Sequence, residues 1–153
     1  MKKLLVLSAA ILAACSAAST EEGIEISDIR FNPPLPGQTT GVGFMSLENK
    51  GPADRLISAS SPLSDNIELH THLNDNGVMR MRKVDAIDLP AGETVELKPG
   101  DYHIMIFDTE MVAGEETTVT LDFETAEDVT LVVPVVPRGT APKASGHGSD
   151  TQY

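Results

Sequence analysis

Thr117-Thr118-Val119-Thr120-Leu121-Asp122-Phe123 decides the fold class: Val119, Leu121 and Phe123 alternate with Thr118, Thr120 and Asp122. Successive strand side chains point to opposite faces, so this stretch reads as a β-strand with one apolar face turned inward and one polar face turned out. Similar short β-type runs recur on both sides of it, over Ile24 to Ile29, Thr40 to Leu47, Leu56 to Ala59, Ile67 to His72, Val78 to Lys83, Thr94 to Leu97, Tyr102 to Phe107 and Val129 to Val135. Turn chemistry separates them, including Asn32-Pro33-Pro34, Asn74-Asp75-Asn76-Gly77, Leu89-Pro90-Ala91-Gly92 and Lys98-Pro99-Gly100. None of the runs has helical periodicity. The expected fold is therefore all-β, an antiparallel β-sandwich of the immunoglobulin-like or cupredoxin-like kind. With no Trp, two Tyr and four Phe, its core must be mostly aliphatic.

The ends of the chain read differently. Residues 1–14 have the form of an export signal, with Lys2 and Lys3 ahead of an apolar stretch from Leu4 to Leu12 that is too short to span a bilayer. The sequence Leu12-Ala13-Ala14-Cys15 resembles the lipobox at which bacterial lipoproteins are cut and acylated. The resemblance implies that Cys15 is the lipidated first residue of the mature chain, anchored to a membrane on the periplasmic side of the cell envelope. Ser16 after the cysteine suggests the outer membrane where one exists. Residues 15–22 suit a short tether, residues 23–137 form the folded domain, and residues 138–153 have the composition of a disordered tail. A lone, acylated cysteine rules out thiol chemistry and an internal disulfide. The net charge is −12, and loss of Lys2 and Lys3 with the signal takes it to −14, which argues against nucleic acid as a partner.

Three of the expected strands carry metal-binding side chains on one face. In Tyr102 to Phe107, His103 and Met105 share a face; in Val78 to Lys83, Met79 and Met81 do; in Ile67 to His72, His70 and His72 do. Residues i and i+2 of a strand stand about 6.6 Å apart at the backbone, a gap such side chains can close around one ion. A methionine alone is most often a core gap-filler. A His-x-Met strand accompanied by Met-x-Met and His-x-His strands is a poor way to fill a core. Imidazole with thioether suits Cu(I), a soft ion with a filled d shell. Calcium and magnesium would want oxygen ligands, and zinc would usually recruit cysteine, histidine or carboxylate.

The order and spacing carry a resemblance. A His, ten residues, a Met, twenty-one residues and then His-x-Met is the signature of the PCu(A)C family of periplasmic copper chaperones, and counting from His70 reaches Met81, His103 and Met105 without a gap. Asp54-Arg55-Leu56, Glu68-Leu69-His70, Gly77-Val78-Met79-Arg80-Met81-Arg82, Leu89-Pro90-Ala91-Gly92 and Lys98-Pro99-Gly100 also match. The resemblance implies a cupredoxin-like sandwich that binds Cu(I) near one end through those four residues. It further implies delivery to cuproproteins, chiefly the copper subunit of cytochrome c oxidase during assembly of its binuclear centre, alongside Sco-type proteins. This chain has Phe107 where many members place another methionine. Met79 falls outside the signature spacing, and His72 and His147 are candidates for an auxiliary Cu(II) site.

Other readings remain beside this one. A blue-copper electron carrier needs a Cys thiolate, and the only Cys is Cys15. A copper storage or resistance protein would use the same four ligands. A metal-free envelope module needs only the sandwich. No nucleophile elbow or ordered acid–base motif speaks for an enzyme.

Overall fold

A computed structural model describes residues 23–140, which contain ten strands and no helix. These are β1 (Ile24–Asn32), β2 (Gly41–Asn49), β3 (Asp54–Ser60), β4 (Ile67–Asp75), β5 (Val78–Lys83), β6 (Ile87–Leu89), β7 (Thr94–Leu97), β8 (His103–Ile106), β9 (Glu116–Phe123) and β10 (Val129–Pro134). They form two antiparallel sheets. The larger runs β1-β2-β8-β4-β5, with β7 also paired to β2, and the smaller runs β10-β9-β3-β6. The all-β sandwich expected from the alternation is thus the fold.

The core lies between the sheets and is aliphatic, as the composition required. Leu47, Leu56, Ile87, Leu89, Ile104, Ile106, Val119, Leu121 and Val133 are almost wholly buried, with Phe31 as the large aromatic member. In β9, Val119, Leu121 and Phe123 are buried while their polar alternates are not. The strand β6 is a departure from the sequence reading, which placed no strand between Lys83 and Thr94. It has only three residues, too few for an alternating pattern to stand out, yet Ile87 and Leu89 are both fully buried and Asp54 to Leu56 of β3 pair with it.

β1 also extends further than expected. Its pairing with β2 shifts register between Ser27 and Arg30, where Asp28 has a positive φ of 53°. A bulge of this kind changes which residues face inward, so Phe31 enters the core although it breaks the phase set by Ile24 and Ile26. Asn32 then ties down the segment that follows β10, its side-chain amide donating to the Val136 carbonyl at 2.9 Å. At the start of the expected tail the Arg138 guanidinium donates to the Pro33 carbonyl at 3.2 Å. The proposed signal, Cys15, the tether up to residue 22, and His147 lie outside the described residues.

Candidate metal site on the outer face of the larger sheet

Burial on one face of the central strands decides what the other face presents. In β8, Ile104 and Ile106 are fully buried in the core, which turns His103 and Met105 to the outer face of the sheet. In β4, Leu69 and Thr71 are buried and Glu68, His70 and His72 turn outward beside them. β5 has no buried residue and is the edge of the sheet, bonded only to β4.

The cross-strand register sets who meets whom. His70 lies directly opposite His103, and Glu68 opposite Met105. On the other side of β4, His70 lies opposite Lys83, and His72 opposite Met81. The hairpin turn fixes that second register: Asn76 and Gly77 have φ of 51° and 87°, and Asp75 pairs with Val78 across them. Two positive φ values at an Asn-Gly pair mark the tight turn whose twist suits a two-residue hairpin. Met81 is therefore diagonal to His70 and directly beside His72, while Met105 is two residues from His103 along β8. All four residues of the spacing signature share one face of three adjacent strands. His103 is buried, at 2% exposure, and His70 is partly buried, with a side chain 12% exposed, whereas Met81 is 47% exposed.

The two histidines opposite each other have their protons assigned by their partners. His103 Nδ1 donates to the Asp101 carbonyl at 2.8 Å. That leaves Nε2 as a bare lone pair, and it is buried with no hydrogen-bond partner. His70 Nε2 donates to the Glu68 carboxylate at 2.9 Å, which leaves Nδ1 as the bare lone pair, also buried and unpartnered. Buried polar atoms without partners are rare and costly. Here both are the atoms with which imidazole binds a metal, and in both rings the second nitrogen is held by an acceptor, the arrangement common behind metal-bound histidine. The ring centroids are 6.0 Å apart. With a metal–imidazole bond of about 2 Å on each side, two rings so spaced can share one ion.

Further residues complete the surroundings. Glu68 also accepts from Lys83 Nζ at 2.9 Å, so its carboxylate bridges a lysine and a histidine. The hydrogen bond from His70, followed by that from Lys83, holds the Glu68 carboxyl below the usual range. Burial pushes the His103 imidazole below its usual range, against the opposing effect of its bond to Asp101. Phe107 covers one side of His70, with ring centroids 6.1 Å apart. Among the described residues no three His, Cys, Asp or Glu side chains are disposed to hold a metal together. The further donors on this face are the thioethers of Met81 and Met105. Glu68, Lys83 and the Asp101 carbonyl were not identified as site residues from sequence. The period-two rule that paired His70 with His72 puts Glu68 on the same face, and the Asn76-Gly77 turn would have given Lys83 as the partner of His70.

Residues 24–135 match the family model described as "Putative lipoprotein LpqE-like". The chain is similar to protein RP573 of Rickettsia prowazekii (strain Madrid E), 36% identical over 84 residues that make up 53% of this chain and 46% of that one. The match therefore spans less than half the length of that relative. It is 28% identical over 117 residues to "Putative lipoprotein Lxx21020" of Leifsonia xyli subsp. xyli, covering 74% of this chain and 70% of the other. Among solved structures, a copper-bound PCuAC domain from PmoF2 superposes with a TM-score of 0.63 at 28% identity, over 74% of this chain and 92% of that domain. The Cu(I) form of DR1885 from Deinococcus radiodurans gives a TM-score of 0.62 at 21% identity, over 77% and 80% of the two chains, a likeness of fold. With its fold shared by PCuAC domains, one of them copper-bound, the chain belongs to the LpqE-like family.

Proposed function

We propose that this protein is a copper chaperone of the bacterial envelope that holds Cu(I) through His70, Met81, His103 and Met105 and passes it to cuproproteins. The observation that carries this reading is the pair of buried, unpartnered imidazole nitrogens, His70 Nδ1 and His103 Nε2, on rings 6.0 Å apart. Two neutral nitrogens with two thioethers add no negative charge of their own, which favours a soft monovalent ion over zinc or calcium. The similarity to a copper-bound PCuAC domain supports the same cargo.

In this mechanism the chain works by ligand geometry alone. Asp101 and Glu68 keep each imidazole in the tautomer whose free nitrogen faces the ion, so binding requires no proton rearrangement. Met105 supplies a thioether beside His103, and Met81 supplies one from the exposed edge strand. Cys15 anchors the chain by acylation on the periplasmic side, in the outer membrane where one exists, and the recipient is the copper subunit of cytochrome c oxidase, approached in concert with Sco-type proteins. X-ray absorption of the anaerobically loaded full chain tests the site: a first shell of two nitrogens and two sulfurs is expected, and one of nitrogen and oxygen only would refute it. Deleting the gene and assaying oxidase activity under copper limitation tests the recipient, with activity expected to fall and to recover on adding copper.

A further inference from the structure

His72 stands on the ligand-bearing face and is used by none of the four signature contacts. It lies directly opposite Met81 in the β4–β5 pair, whereas the residue opposite His70 is Lys83. Directly opposed strand residues have their Cβ atoms about 4.5–5.5 Å apart, so His72 and Met81 are natural co-ligands. The His72 ring is also closer to His103 than His70 is, at 5.0 Å against 6.0 Å between centroids. Its hydrogen bonding is slight: Nδ1 reaches the Asp101 carbonyl at 3.5 Å, the same oxygen that takes the 2.8 Å bond from His103. Nε2 makes no hydrogen bond among the described residues.

Access sharpens the contrast. The two inner nitrogens are buried, so an acceptor cannot reach an ion held on them directly. Met81 and Met79 are 47% and 55% exposed on an edge strand with a single neighbour. His72, on β4, lies between His103 on β8 and that edge.

We propose that His72 and Met81 form an outer exchange position through which Cu(I) leaves the inner ligands for an acceptor, a reading that rests on the assignment of His70 and His103 above. A bond from His72 Nε2 to copper forms as the bond from His103 Nε2 breaks, the bonds from His70 Nδ1 and the Met105 sulfur break as the acceptor's own donor atoms bind, and His72 and the Met81 sulfur let go last. Copper stays monovalent, and no proton or electron moves. A filled d shell imposes little geometric preference on such a rearrangement.

The test is the rate at which the anaerobically Cu(I)-loaded full chain yields copper to excess bathocuproine disulfonate, a bulky anionic bidentate chelator. Losing a ligand of the resting site should speed release, and losing an exchange ligand should slow it. His72→Gln is expected to slow release about tenfold, a tenth of the rate being a barrier change of about 1.4 kcal/mol. His103→Gln is expected to weaken binding and to release faster. His72→Asn repeats the test with a shorter side chain, and amide NMR dispersion checks that both variants fold. Release from either folded His72 variant at the wild-type rate or faster would overturn the exchange position and leave the inner site standing. Wild-type affinity in both His70→Gln and His103→Gln would instead overturn the assignment on which it rests.

Discussion

Replacing Glu68 should weaken copper binding although no atom of Glu68 is proposed to touch the metal. Its two carboxylate oxygens do separate jobs, one accepting from His70 Nε2 at 2.9 Å and the other from Lys83 Nζ at 2.9 Å. The first bond holds the His70 proton on Nε2 and keeps Nδ1 bare; the second pins the carboxylate in place. Losing the partner behind a metal-bound histidine typically costs about 10–100-fold in affinity. Glu68→Leu removes both bonds and the charge, so it should fall in that range. Glu68→Gln should cost less, because its amide oxygen can still accept from His70, but its NH2 group then faces the Lys83 ammonium and that bond is lost. Competition with a Cu(I) chelator near neutral pH measures the affinities. Long-range 1H–15N NMR of the imidazoles reads the tautomer independently, with Nε2–H expected for His70 in the wild type and a mixture in Glu68→Leu. If Glu68→Leu keeps wild-type affinity and a pure Nε2–H tautomer, Glu68 does not position His70.

Other expectations follow from burial and close packing. His103 is buried and its imidazole is pushed below the usual range, whereas in the unfolded chain it titrates near about pH 6.5. Below that pH the unfolded chain takes up a proton that the folded one resists. The stability contributed by neutral His103 is therefore complete above about pH 6.5 and lost as the pH falls toward the lower folded value; urea unfolding of the metal-free protein at several pH values should show this slope, reduced in His103→Gln. A Cβ at Gly43 would stand 2.7 and 2.9 Å from Phe31 ring atoms and 3.3 Å from Ile104 Cβ, so Gly43→Ala should cost about 1–3 kcal/mol by overpacking, read as a lower urea midpoint. Cys15→Ser should release the protein from the membrane fraction or leave its signal uncut, with copper binding by the domain retained; a variant still carrying acyl chains would refute the anchor.

What the sequence displayed was whatever repeats with period two. Val119, Leu121 and Phe123 announced β9, and Ile104 with Ile106 announced the inward face of β8, leaving His103 and Met105 outward by the same count. Breaks in that period hid the rest. The bulge at Asp28 moved Phe31 into the core against the phase of the preceding residues, and β6 was too short to show a phase at all. Relations between strands were harder still, because they depend on register. That Met81 meets His72 rather than His70 follows from the Asn76-Gly77 turn, a relation that residue spacing along one chain does not express. The tautomers of His70 and His103 needed the positions of Glu68 and the Asp101 carbonyl, and only the folded arrangement supplies those.

The same alternation explains how a small all-β domain can hold soft ligands in place without a rigid metal cage in its core. β4 and β8 each carry core residues on one face and the proposed ligands on the other, so the two sets are mechanically tied. A one-residue slip of either strand would exchange the faces. A slip of β4 would bring Leu69 out to solvent and a slip of β8 would bring out Ile104 and Ile106, residues that are now at most 4% exposed. Each such side chain is worth about 1.5–3 kcal/mol when buried, so all three exposed together, by a slip of both strands, would cost about 5–9 kcal/mol. That is comparable to the whole stability of a typical domain, about 5–15 kcal/mol. The hydrophobic core therefore fixes the face on which His70, His103, Glu68 and Met105 stand, and that placement is owed to residues that take no part in the proposed site. Met81 is the exception, since β5 buries nothing and is held by its hairpin and ladder alone. The proposed ligand with the weakest structural constraint is thus the one on the exposed edge, where the proposed exchange has the ion arrive and leave.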